Sequence, residues 1–168
     1  MSQLTQLHLQ MLALKKVKAE VQQRLTVCKP YCQQLLTKKF RKAEHGTRIC
    51  EILDLLSLQE LGFTRKRISS QFMSRYLWIN AEAGIVIKLP FTCNTTTKPK
   101  AAVPTLRLNV FDITQDDARR HIVIQPLVDT ARAKDAAKEL ATRYSTDYRD
   151  IHPGNTGHYQ GKAVFLDW

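Results

Sequence analysis

Residues 148–155 read Tyr148-Arg149-Asp150-Ile151-His152-Pro153-Gly154-Asn155, and residues 162–168 read Lys162-Ala163-Val164-Phe165-Leu166-Asp167-Trp168. Asp150 and Asn155 flank a stretch with Pro153 and Gly154, which predicts a loop able to turn both side chains toward one place. Lys162 to Leu166 is short and apolar after Gly161 and predicts a strand that ends just before Asp167. A loop with a carboxylate and a carboxamide, beside a strand that aims a second carboxylate, supplies the groups phosphoryl transfer needs. One carboxylate orients the attacking hydroxyl and takes its proton. The other oxygen ligands hold magnesium, which neutralises charge on the phosphates.

Outward from this stretch, the residues before it include several β-rich runs. Ser74 to Asn80 and Gly84 to Leu89 are rich in β-branched and aromatic residues, with Ala81-Glu82-Ala83 as a hairpin connection. Leu106 to Ile113 and His121 to Val128 predict two more strands around the turn-like run QDDARR, residues 115–120. Thr92 to Pro104 is polar and predicts a loop. Ala131 to Tyr144 consists mostly of strong helix formers and predicts a helix. Phe63 marks the change from helical to strand character.

The first 56 residues predict helices. Leu4, Leu7, Met11, Leu14, Val21 and Leu25 recur at helical spacing, with Lys18 interrupting the stripe. That interruption favours a helix packed on its own domain over a coiled-coil seam. Pro30 predicts a break, then a second helix from Tyr31 to Glu44 and a third from about Thr47 to Leu56. Ser57-Leu58-Gln59-Glu60 has the form of a capping box and predicts one more turn ending at Gly62. Helices followed by strands, without strict alternation, give an α+β fold rather than a doubly wound parallel sheet. The expected division is a helical N-terminal segment over 1–56 and a compact domain over 57–168.

Together these residues resemble the protein-kinase-like fold, including its aminoglycoside and choline kinase branch and the atypical kinases. The family's catalytic loop carries an Asp followed five residues later by an Asn, as Asp150 and Asn155 do. Ile85-Val86-Ile87-Lys88 is similar to the family's Val-Ala-Ile-Lys strand, and Ile122 to Val128 to the strand that leads into the hinge. Asp167-Trp168 looks like the Asp-Trp or Asp-Phe ending of small-molecule kinases. The order of lysine strand, hinge strand, helix, catalytic loop and metal strand is also the family's. The resemblance implies an antiparallel sheet and the cofactors ATP and Mg. It implies Asp150 as catalytic base, Lys88 on the phosphates, Asn155 and Asp167 as magnesium ligands, and backbone groups around Gln125 and Leu127 at the adenine.

Three features depart from the family pattern. No glycine lies between Gly62 and Gly84, so close backbone approach to phosphate is not encoded there. Arg65, Lys66, Arg67 and Arg75 are the candidates to compensate by charge. The interval after Lys88 holds no Glu to pair with it, which makes Glu51 or Glu60, brought in from the N-terminal side, the expected partner. The sequence ends one residue after Asp167, so a reduced C-terminal lobe is expected. The leading expectation is an ATP- and Mg-dependent phosphotransferase acting on a Ser/Thr or small-molecule hydroxyl. A kinase-like nucleotide-binding module that regulates without transferring phosphate is the second.

A formal net charge of +11, from 26 Lys+Arg against 15 Asp+Glu, points to anionic partners. These are a nucleotide first, then an acidic protein surface facing the N-terminal helices. The third alternative is a small basic DNA- or RNA-binding regulator, with residues 47–80 as a helix-turn-helix plus wing and Arg65-Lys66-Arg67 on phosphates. It leaves residues 148–167 unexplained. The four cysteines, Cys28, Cys32, Cys50 and Cys93, lack zinc-ligand spacing and are expected to be free thiols. His152 and His158 likewise form no recognisable metal pair. No apolar run is long enough to span a bilayer, and the N-terminus lacks the pattern of a signal peptide. The expected location is therefore the cytosol.

Overall fold

The computed structural model describes residues 2–37, 54, 56–69, 74–88, 103–109, 121–144 and 151–166. The fold is α+β, with one long N-terminal helix, a five-stranded antiparallel sheet and a small second sheet. Helix α1 covers Gln3–Thr37. The strands are β1 (Thr64–Ser69), β2 (Ser74–Asn80), β3 (Ile85–Lys88), β4 (Leu106–Asn109) and β5 (His121–Pro126), in the order β1-β2-β3-β5-β4. Helix α2 (Ala133–Tyr144) then leads to a hairpin of β6 (Thr156–Tyr159) and β7 (Lys162–Phe165).

The apolar stripe of α1 lies against the sheet. Leu14, Val17, Val21 and Leu25 are buried with Phe63, Trp78, Ile85, Ile87, Leu108, Ile122 and Ile124. Each such aliphatic side chain taken from water contributes about 1.5–3 kcal/mol before the entropy of ordering is counted. The helix therefore packs on its own sheet, as the interrupted stripe suggested. Leu4, 80% exposed, extends beyond that contact. The Arg24 guanidinium fastens α1 to the chain entering the sheet. It donates to the carbonyls of Leu56 (2.7 Å) and Ser57 (3.0 Å) and pairs with Glu60 (3.1 Å).

Two expectations for this region are corrected. Pro30 does not break the helix, which continues to Thr37. Proline there removes one N–H and crowds the preceding turn, but Pro30 is itself exposed, past the buried Leu14, Val17, Val21 and Leu25. Solvent can therefore take up the freed carbonyl. The expected second helix from Tyr31 is thus the continuation of α1, and its residues beyond 37 lie outside the described residues. So does nearly all of the expected third helix.

The turn at Leu58–Leu61 forms and ends at Gly62, but as a 3-10 turn and without the capping box. Ser57 sits at φ 51° and makes no side-chain cap, and Glu60 is taken by Arg24 instead. Gly62 has φ 90°, and a Cβ there would lie 2.9 Å from Asn80 Nδ2, so the turn requires glycine.

The strand expectations hold for the described parts of β2 to β5 and β7. Thr64–Ser69 pairs with β2 in a hairpin, and most of the residues 47–56 of the alternative helix-turn-helix reading lie outside the described residues. Strand β6, expected as loop, is the other addition. Among the described residues no helix is long and apolar enough to cross a membrane.

Candidate functional site

Alternation along β3 divides its four residues between two faces. Ile85 and Ile87 face the core under α1, so Val86 and Lys88 face the other way. All four are buried, so the second face is covered as well. Lys88 is 8% exposed, and a buried ammonium is costly unless it finds acceptors. Its Nζ donates to the carbonyl oxygen of Leu166. This contact joins the lysine strand to the residue just before Asp167. The expected carboxylate partner Glu60 is engaged by Arg24 and 69% exposed, and Glu51 lies outside the described residues.

Antiparallel pairing extends a row across the whole sheet. Lys66 is opposite Leu77, Leu77 opposite Lys88, Lys88 opposite Val123, and Val123 opposite Arg107. Directly paired residues share a face, so Lys66 and Arg107 flank Lys88 on the face away from α1. Lys66 was among the four residues expected to compensate for the absent glycines. Arg65, one position away, belongs to the other face and is bonded to Asp54 at 2.8 and 3.0 Å. The side chains of Arg67 and Arg75 lie outside the described residues. Arg107 was not anticipated, because only the pairing of β4 with β5 brings it into the row.

The two positions whose backbone groups are expected at the adenine also make contacts within the chain. Gln125, 3% exposed, donates through Nε2 to Thr105 Oγ1 (2.8 Å), and that hydroxyl donates to the Val103 carbonyl (3.0 Å). The carboxamide thus anchors the segment entering β4. The Leu127 amide donates to the Gly84 carbonyl (2.8 Å), and its side chain is 39% exposed.

The second sheet and α2 position the loop of residues 151–155. Ala136 and Leu140 of α2 pack on Ala163 and Phe165 of β7, with Tyr144 and Ile151 at the margin. The Thr156 hydroxyl, fully buried, lies 3.0 Å from the Ala133 carbonyl and 3.1 Å from that of His152. His152 Nδ1 accepts from the Gly154 amide at 3.0 Å, which closes the tight turn before the 3-10 turn Pro153–Asn155. Asn155 thus occupies the last position of that turn. Its side chain, Asp150 and Asp167 lie outside the described residues.

His158 pairs through its backbone with Asp129 in both directions, at 2.8 and 3.0 Å. This bridge requires Gly157, where a Cβ would come 2.5 Å from Val128 Cγ1 and 2.7 Å from the Asp129 carbonyl. Among the described residues no group of three or more His, Cys, Asp or Glu could hold a metal, and Cys28 is a free thiol. Comparison with family models, with curated proteins and with solved structures gives no match.

Proposed function

We propose that the chain is an ATP- and magnesium-dependent phosphotransferase of the protein-kinase-like type, transferring phosphate to a Ser/Thr or small-molecule hydroxyl. The observation that carries this reading is the bond from Lys88 Nζ to the carbonyl of Leu166. It brings the lysine of the Ile-Val-Ile-Lys strand to the threshold of Asp167, two residues 79 positions apart in the sequence that phosphate transfer needs side by side. Lys88 holds the phosphate chain, Asp150 orients the acceptor hydroxyl and receives its proton, and Asn155 with Asp167 binds the metal. Bound magnesium would offset phosphate charge. The base lies against the chain between Gln125 and Leu127. A cytosolic location and an acidic protein partner for the exposed side of α1 belong to the same proposal.

The test is titration of ATP with and without magnesium, read by thermal unfolding and then by labelled product. At a hundredfold excess over Kd, ligand adds about 2.7 kcal/mol of apparent stability. Asp167→Ala removes the magnesium-dependent part of this gain, and Asp150→Ala keeps binding and loses transfer. Transfer at wild-type rate by both variants would overturn the proposal.

A second reading is a nucleotide-binding module without transfer. It is favoured by the Leu127 amide, which already has the Gly84 carbonyl as its partner, and by the glycine-free stretch between Gly62 and Gly84. Magnesium-dependent binding with no product distinguishes it.

A further inference from the structure

We infer that the outward side of α1 is a docking surface for an acidic amphipathic segment of a partner protein, which lays apolar side chains on Leu9 and Leu12 and carboxylates on Lys15 and Lys16. The inference rests on the acidic-partner part of the reading above, gives that partner a surface, and does not depend on nucleotide binding. Leu14, Val17 and Val21 turn one side of the helix to the sheet. On the other side Leu9, Leu12, Lys16 and Ala19 recur three and four residues apart, and all are exposed. Leu9 and Leu12 are 49% and 48% exposed, against 0% for Leu14. Two leucines one turn apart therefore stand clear of the core.

Leu9 also lines a groove of about 360 Å³ with Gln6, Gln10 and Ala13 of α1 and Gln160 of the β6–β7 turn. Gln10 Nε2 is shielded from solvent there with no hydrogen-bond partner, and an amide so placed is destabilising until an acceptor meets it. Charge indicates which acceptor. Helix α1 carries Lys15, Lys16, Lys18, Arg24 and Lys29 against a single acid, Glu20. Lys15 and Lys16 are exposed, and among the described residues no carboxylate pairs with either. An apolar centre with a charged rim is the usual make-up of an interface, and the sign of this rim calls for carboxylates. A second copy would set the same lysines against each other. A lipid surface fits less well, because an interfacial helix turns its broad apolar face to the bilayer, whereas that face of α1 lies on the sheet.

The experiment measures binding of a peptide of repeated Leu-Glu-Ala-Leu-Glu-Glu-Glu to the full chain. The comparison ligands are the same peptide with Gln for Glu, the same residues in scrambled order, and vesicles of phosphatidylserine and phosphatidylcholine. The variants are Leu9→Gln with Leu12→Gln, and Lys15→Glu with Lys16→Glu. All four positions are exposed, so both variants are expected to fold, and circular dichroism checks this. Wild type is expected to bind the ordered acidic peptide in preference to the neutral and scrambled ones, and less tightly as salt is raised. Each double variant should weaken that binding by about tenfold. Lys15→Glu with Lys16→Glu should instead gain affinity for a peptide with Lys in place of Glu.

Peptide binding that both variants keep overturns this surface and leaves an acidic partner to another part of the chain. Equal binding of the ordered and scrambled peptides overturns the amphipathic fit in favour of charge alone. Vesicle binding lost in both variants, without peptide binding, overturns the inference in favour of a lipid surface. Self-association of the wild type that Leu9→Gln with Leu12→Gln abolishes overturns it in favour of a second copy. Absence of peptide binding overturns it whatever the ATP titration gives, and variant-sensitive peptide binding supports it even where ATP does not bind.

Discussion

The two hydrophobic clusters among the described residues are held in different ways. Under α1 the sheet is closed by long aliphatic side chains from a helix and several strands, including the fully buried Leu14, Ile87, Ile122 and Ile124. Around α2 the buried cluster among the described residues is Ala136, Leu140, Ala163 and Phe165, two of them alanines. There the missing apolar area is offset by individual polar ties, namely the Thr156 hydroxyl, the His152–Gly154 turn and the Asp129–His158 bridge. Lys88 is thus set by packing, and the loop of residues 151–155 by a few hydrogen bonds. A region with few buried contacts opens at lower free energy than the core beside it. The proposed site is therefore bounded by one rigid side and one that can yield.

The largest expected effect comes from the rigid side. Ile124→Ala removes a fully buried side chain between α1 and the sheet and should cost about 2–5 kcal/mol in urea unfolding. Loss of the transition midpoint without local opening first would place that cluster at the centre of global stability. A cost under 1 kcal/mol would contradict the distinction between the two clusters.

Gly157→Ala addresses the yielding side. Its Cβ collides with Val128 and with the Asp129 carbonyl, so a cost of about 1–3 kcal/mol is expected. Amide exchange should quicken in β6 and at Asp129 while β3 stays protected. Equal acceleration in both sheets would show a single cooperative unit.

Arg65→Ala is the smallest. The Arg65–Asp54 pair is exposed on both members, and its loss should change stability by about 0–1 kcal/mol, less at high salt.

Much of this architecture was legible along the chain because it is local. Ser74 to Asn80 has a centre of bulky, strand-favouring residues, and Ala133 to Tyr144 is dense in helix formers such as Ala and Lys. Both formed the expected elements. Thr156-Gly157-His158-Tyr159 was not legible as a strand, since Gly and His carry little β preference. Its strand is imposed by pairing with β7 and by the close approach of Asp129. The capping pattern at Ser57 was overridden in a similar way, as Arg24 draws in the carbonyls of Leu56 and Ser57 from a helix far away in sequence.

For the candidate site, the strand motif singled out Lys88, and the structure adds that it is buried and bonded to the Leu166 carbonyl. The row through Lys66 and Arg107 was not legible, because a register between β3, β5 and β4 depends on contacts distant in sequence. Asp150, Asp167 and the side chain of Asn155 rest on the resemblance alone.

The basic run of β1 also bears on how the protein keeps to itself. Among the described residues strand β1 is one of the two outer strands of the large sheet, and an outer strand offers backbone groups to any passing chain. Here that border carries Arg65-Lys66-Arg67. A second copy approaching border to border would bring these positive residues against its own, and the repulsion would act before the backbones could pair. Replacing the run with neutral residues would therefore remove the barrier to sheet growth, and concentrated samples should then form β-rich aggregates that the native charge prevents.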